Sequence, residues 1–344
     1  MRRSRGEKTM KIIVDAFGGD HSPDEVIKGA AMAVEKLGVD IVLTGDESKI
    51  KSFAAANNIS LDRISIKHTE EVIDIHEEPT SILKEHAGCS MAVGLKALAD
   101  GEGDAFVSAG STGALVVGAT FIAKRLKGIK RAALAPIMPA DNGYIMLIDA
   151  GANVECRPEA LVQFGIMGSC YMEKVLGVKS PKVGLINVGA EDTKGREMDK
   201  EAYAMLRKAP INFYGNLEAR DIPLGVCQVA VSDGFTGNVA LKLYEGMGSY
   251  FAHTLKGMFL SSLGSKIAYL LMKKQVAAFR KKMDYSEVGG AVLMGISKPV
   301  IKAHGSSDAN AFYNAIRQAK NCVEGDVIGE ISRSIEKLKT DSAE

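Results

Sequence analysis

The chain has 344 residues, 46% hydrophobic and 25% charged, with 36 glycines, a composition that places it among folded globular proteins and excludes disordered and fibrous classes. Its 43 Lys and Arg against 42 Asp and Glu leave a formal charge of +1, so the footprint of a dedicated nucleic-acid binder is missing and any basic surface is local. Five scattered cysteines, Cys89, Cys156, Cys170, Cys227 and Cys322, never spaced as C-x-x-C, fit thiols in a reducing cytoplasm rather than a disulfide framework or a zinc site.

Met1–Thr9 carry four basic side chains and no apolar run, so they lack the hydrophobic segment of a secretory signal and read as a disordered tail. No stretch reaches the roughly 18 uninterrupted apolar residues of a transmembrane helix. From Met10 onward, short β-branched runs at Ile12–Val14, Ile41–Thr44, Ile64–His68, Ala105–Ser108, Ile145–Asp149, Val183–Val188, Asn212–Tyr214 and Gln228–Val231 predict strands. Between them, Asp24–Leu37, Ser90–Ala99, Ala114–Leu126 and Pro158–Leu176 carry apolar residues at helical spacing. This alternation predicts one large three-layer α/β/α unit over residues 10–335 with a mainly parallel sheet.

In such sheets ligands sit beyond the carboxyl ends of the strands, where Gly-rich loops let backbone N–H groups approach an anion. The glycines fall there: Asp15-Ala-Phe-Gly-Gly-Asp-His21, Ser108-Ala-Gly-Ser-Thr-Gly113, Asp149-Ala-Gly-Ala-Asn153 and Ser232-Asp-Gly-Phe-Thr-Gly-Asn238. The candidate phosphate and substrate contacts are Asp15, Gly18, Gly19, Asp20, His21, Ser108, Gly110, Ser111, Thr112, Gly113, Asp149, Asn153, Asp233, Gly234, Thr236 and His304, from loops expected to converge on one sheet edge. No loop is a Walker or a G-x-G-x-x-G pattern, so nucleoside triphosphates and dinucleotides have no signature here. No His or Cys spacing suits a metal, and none of G-x-S-x-G is present. The expected chemistry is positioning and charge stabilisation without metal or cofactor. Lys194, in Glu191-Asp-Thr-Lys-Gly195, can hold an anion. Asn238 can donate to an oxyanion or cap the next helix; a solvated lysine and a plain cap remain open alternatives.

From Gly246 to Met283 there are seven Lys and Arg and no acidic residue. Leu263, Lys266, Lys273, Lys274, Arg280 and Lys281 stand out in this basic amphipathic stretch, predicted as two short helices broken near Ser261–Ser265 and projecting from the body. Such a surface suits an anionic membrane, an acidic carrier protein or a dimer seam, or packs on the core as an ordinary helix pair.

Taken in order, Asp15–Pro23, Ser108–Ala114, Asp149–Asn153, Glu191–Gly195, Ser232–Asn238 and His304–Ser307 resemble the bacterial phosphate acyltransferases of phospholipid synthesis, the PlsX family, from about Met10 to Ala319. The resemblance implies transfer of a fatty acyl group from acyl carrier protein to inorganic phosphate, a cytoplasmic homodimer that contacts membranes peripherally, and a fold similar to phosphotransacetylase and the isocitrate and isopropylmalate dehydrogenases. It places Lys194 and Asn238 in catalysis. Phe17 stands where the family usually has Met, and Ser111 where Asn is common. A dehydrogenase on the related fold and a non-enzymatic membrane-bound regulator are the rival readings.

Overall fold

The computed structural model describes residues 9–283 and 289–341, so all of the expected tail but Thr9 lies outside the described residues. The chain runs β1 (Lys11–Asp15), α1 (Asp24–Leu37), β2 (Asp40–Gly45), α2 (Glu47–Ala56), β3 (Ile64–His68), α3 (Ser90–Ala99), β4 (Ala105–Ser108) and α4 (Thr112–Gly118). It continues with β5 (Ala133–Ala140), β6 (Gly143–Ile148), α5 (Pro158–Lys174), β7 (Lys182–Ile186), α6 (Glu197–Leu206), β8 (Asn212–Leu217) and β9 (Val229–Val231). Last come α7 (Gly234–Leu260), α8 (Leu263–Met283), β10 (Ala291–Met294), β11 (Val300–Lys302), α9 (Ala309–Glu324) and α10 (Val327–Asp341). The α1 helix spans its predicted limits because Gly38, in the left-handed region at φ 65°, turns its N–H back to the Val34 carbonyl and ends it.

The described strands form one sheet in the order β3-β2-β1-β4-β11-β10-β5-β6-β9-β7-β8. Parallel pairing joins β3, β2, β1, β4 and β11 on one side and β6, β9, β7 and β8 on the other. The class is therefore α/β with a mainly parallel sheet, as the alternation predicts. The pairs β11/β10, β10/β5 and β5/β6 are antiparallel. Those three reversals make the second half of the sheet run opposite to the first. The single converging sheet edge expected from the sequence is thus corrected: the loops after β1, β4 and β11 open at one end, and those after β6, β7 and β9 at the other.

Side chains alternate across each strand, and the core divides accordingly. Ala105 and Val107 of β4, Ala135 and Ile137 of β5, and Met146 and Ile148 of β6 enter one large cluster with residues of α1, α5, α6 and α9. On the opposite face Ile13, Phe106, Leu293 and Val300 pack with α3 and α4. A third cluster joins Met138, Ile145, Leu147 and Ala230 to Ala240, Leu241 and Tyr244 of α7. That face therefore carries two separate helical covers.

Candidate active site

Three registered neighbours lie between those covers: Lys302 pairs with Ala291, and Ala291 with Pro136. Each is only partly buried, although central strands of an α/β sheet are ordinarily covered on both faces. They form the floor of a cleft. Lys302 stands level with Pro136, two residues along β5 from Leu134, whose N–H reaches Asp149 Oδ1 at 2.9 Å. With strands about 4.8 Å apart and a rise of about 3.3 Å per residue, Lys302 and Asp149 are about 16 Å apart. Lys242 and Glu245 of α7 lie close enough to Lys302 and His304 to shift their titration, so α7 of the second bank borders the loop after β11.

On the first bank, Asp15 is fully buried at the end of β1, accepting from Ser90 Oγ at 2.6 Å and Ser108 Oγ at 2.7 Å. Burial pushes its carboxyl up, and the two serine hydroxyls oppose that shift. Ser108 Oγ also accepts from Gly110 N at 3.0 Å, so Asp15 and Ser108 fasten two loops together rather than face a ligand. A side chain on Gly18 would put its Cβ 2.6 Å from Asp15 Oδ2 and 2.7 Å from Gly110 N, so glycine is required there by close approach. Gly19 packs against Ala109 in the same way. Ser111 caps α4 by accepting from Ala114 N, and Thr112 is exposed beside it. Gly113 lies against Pro79.

Asp20 and His21 depart from expectation. They line a pocket with Ser22, Asp24, Glu25 and Asp308, and so many carboxylates repel a phosphate rather than bind it. His304 is exposed, its Nδ1 2.9 Å from Ser306 Oγ. Burial of part of its ring lowers its pKa, with Glu245 opposing.

On the second bank Asp149 is buried at the end of β6. Leu134 N, Gly151 N and Ala152 N donate to its Oδ1, and Asn153 N and Nδ2 to its Oδ2, at 2.7–3.2 Å. Burial raises its pKa against those donors. Asn153 Nδ2 also reaches the Ala132 carbonyl at 2.7 Å, so this pair too is framework. Asp233 caps α7, taking Thr236 N at 2.7 Å, and accepts from Arg196 Nη2 at 2.7 Å. Burial works to raise its carboxyl, but Thr236 and the Arg196 guanidinium outweigh it and hold the group below the ordinary aspartate value. The same guanidinium grips Asp199 and so ties the loop after β7 to the start of α7.

Lys194 and Asn238 are exposed, unlike the buried carboxylates Asp15, Asp149 and Asp233. Among the described residues no carboxylate is in ion-pair range of Lys194. Its loop is braced by Asn187 Nδ2, which donates to the Lys194 carbonyl at 3.1 Å, and by Asn216 Nδ2, which donates to Glu191 O at 2.6 Å. Asn238 lies inside α7, not at its cap, and its Nδ2 donates to Ala150 O at 3.1 Å. A lysine ammonium and an amide donor are thus presented on two tethered elements, an arrangement suited to holding an oxyanion.

The match to a family model extends from residue 10 to residue 330 and is described as "Fatty acid synthesis protein". The chain belongs to this family. A phosphate acyltransferase of Oceanobacillus iheyensis is 47% identical over 330 residues, covering 96% of this chain and 98% of that protein. One from Alkaliphilus oremlandii is 45% identical over 335 residues, 97% of this chain and 100% of that protein. Among solved structures, a phosphotransacetylase from Streptococcus pyogenes superposes with a TM-score of 0.64 at 18% identity, covering 92% of this chain and 94% of that one. The EutD phosphotransacetylase from Staphylococcus aureus gives 0.59 at 17%, covering 91% and 94%. These structures are similar in fold.

Within this member of the family, the sequence motifs miss Ser90, Arg196, Asn216 and Lys302. Each has a partner far away in the chain, Asp15, Asp233, Glu191 and Ala109 respectively, that no local signal reveals. The basic stretch also differs from its expected form. It belongs to two long helices of 27 and 21 residues, because α7 starts at the Asp233 cap and breaks at Ser261, with Ser262 Oγ accepting from Ser265 N at 3.1 Å. The helices pair, Phe259 meeting Tyr269 at 5.4 Å between ring centroids. From Gly246 on, none of their described side chains is buried, and Leu263 and Leu271 are each 79% exposed. Lys266, Lys273 and Lys274 are exposed, whereas the side chains of Arg280 and Lys281 lie outside the described set. No helix among the described residues is long and apolar enough to cross a membrane.

Proposed function

We propose that this chain transfers a fatty acyl group from acyl carrier protein to inorganic phosphate, giving an acyl phosphate for phospholipid synthesis. What carries the reading is the pairing of Lys194 and Asn238, exposed on two elements joined by Arg196 and Asp233, in a chain whose relatives are phosphate acyltransferases. A phosphate oxygen attacks the thioester carbonyl, the new C–O bond forms, the C–S bond breaks and the carrier leaves as a thiolate. Lys194 neutralises the phosphate, and Asn238 donates to the oxyanion that develops on the carbonyl. A thiolate is a good leaving group, so no strong general acid is needed. The test is phosphate-dependent loss of the acyl carrier thioester with acyl phosphate as product; thioester stable in the presence of phosphate and enzyme rejects the reading.

The paired helices α7 and α8 serve, in this reading, as a membrane-touching arm of a homodimer. Exposed Leu263, Ile267, Leu270 and Leu271 supply insertion, and Lys266, Lys273 and Lys274 attract anionic lipid. In sedimentation with anionic vesicles, Lys273→Glu plus Lys274→Glu is expected to lower binding at least about thirtyfold at low salt, and less as salt rises. Leu263→Glu removes a salt-resistant part. Unchanged binding in both variants would leave the arm as a carrier-docking or dimer surface.

A further inference from the structure

Lys302 is the one charged side chain in the open row Pro136, Ala291 and Lys302 on the cleft floor. Its Nζ donates to the carbonyl of Ala109 at 3.2 Å and to that of Ala303. An ammonium has three protons, and those two carbonyls account for two. Among the described residues no carboxylate is in ion-pair range of it. Asp15 is nearby, but its oxygens are taken by the hydroxyls of Ser90 and Ser108. A partly buried ammonium with only carbonyl partners is costly to keep in a fold, and this one lies against the loop Ser108–Gly113, which offers hydroxyls and backbone N–H groups but no cation of its own.

We propose that Lys302 binds a phosphate oxyanion on the cleft floor, supplying the positive charge for the Ser108–Gly113 loop. The ligand, though not the location, rests on the acyltransferase reading above. Two sources share this chemistry: inorganic phosphate, and the phosphodiester of the carrier's pantetheine arm. The titration of Lys302 agrees. Burial lowers its pKa to about 8, Asp15 and Asp20 raise it, and Lys242 lowers it further. Lys242 and Glu245 of α7, with His304 from the loop after β11, face the same end of the cleft. A lowered lysine pKa leaves the group charged at neutral pH and neutral above about 8, so anion affinity falls as pH rises through that value.

The experiment uses the purified full chain with Lys302→Met and Lys302→Arg. Inorganic phosphate at constant ionic strength is expected to raise the Tm of the wild type and of Lys302→Arg, but not of Lys302→Met. In steady state, Lys302→Met is expected to raise one KM at least about tenfold, the loss of a charged hydrogen bond. A raised KM for phosphate alone identifies inorganic phosphate as the ligand. A raised KM for acyl carrier, absent when the donor is an acyl thioester without the phosphodiester, identifies the arm. Between pH 7 and 9 phosphate affinity of the wild type should fall about tenfold and that of Lys302→Arg should stay flat. Both KM values within twofold of wild type in folded Lys302→Met, or equal phosphate stabilisation of wild type and Lys302→Met, overturns the proposal. Phosphate stabilisation that depends on Lys302 in a chain without acyl transfer would keep this site and reject the function.

Discussion

Lys194→Ala and Asn238→Ala are each expected to lower kcat by about 100- to 1,000-fold, the usual effect of removing one donor that meets charge in the transition state. Both side chains are exposed, and Lys194 has no ion-pair partner among the described residues, so truncation leaves no cavity and little change in Tm. The loop that carries Lys194 keeps its braces, since Asn187 bonds its backbone carbonyl rather than its side chain. Asn238→Ala loses one hydrogen bond, to Ala150 O, worth about 1 kcal/mol. The measurement is turnover with phosphate and acyl carrier both saturating, beside thermal melts of the same preparations. Turnover near that of the wild type in both variants would remove these residues from the mechanism while leaving the family assignment intact.

Gly237→Ala is expected to abolish activity and to destabilise the fold by about 3 kcal/mol, the upper part of the range for overpacking a filled site. Helices ordinarily welcome alanine over glycine. Here a Cβ would stand 1.9 Å from the backbone oxygen of Asp149 and 2.7 Å from Ser232 Oγ, and a backbone oxygen cannot swing aside as the end of a long side chain can. The first turn of α7 must therefore retreat from the loop after β6, carrying with it Asn238 and the Asp233 cap that Arg196 holds. Thermal melts and turnover check both parts. A variant with wild-type Tm and activity would show that α7 tolerates the displacement and that its position does not set the site. Gly246→Ala, with open space around the same atom, is the control expected to cost nothing.

Sequence alone determined the class and most of the elements. The strand over Ile64–His68 and the helices over Asp24–Leu37 and Ser90–Ala99 have their expected limits, because hydrophobic period and a Gly stop are local signals. It also singled out Lys194 and Asn238, which lie in ordered motifs. Three strands escaped it. Two prolines break the pattern of β5, Ala133–Ala140, and β10 and β11 are too short to carry a period. Those three strands supply the antiparallel pairs that reverse the second half of the sheet, and pairing order is a non-local property that no single loop reveals. The tertiary structure decided that the glycine-rich loops open at opposite ends of the sheet and form two banks rather than one edge. It decided as well which polar residues are framework: Asp15 is taken by serines 75 and 93 positions away, and Asp149 by the N–H of Leu134 from the neighbouring strand. A motif records which groups a loop contains. Whether those groups are already satisfied depends on partners that only the folded chain brings within hydrogen-bond distance, which is also why Lys302 became visible only on the floor of the cleft.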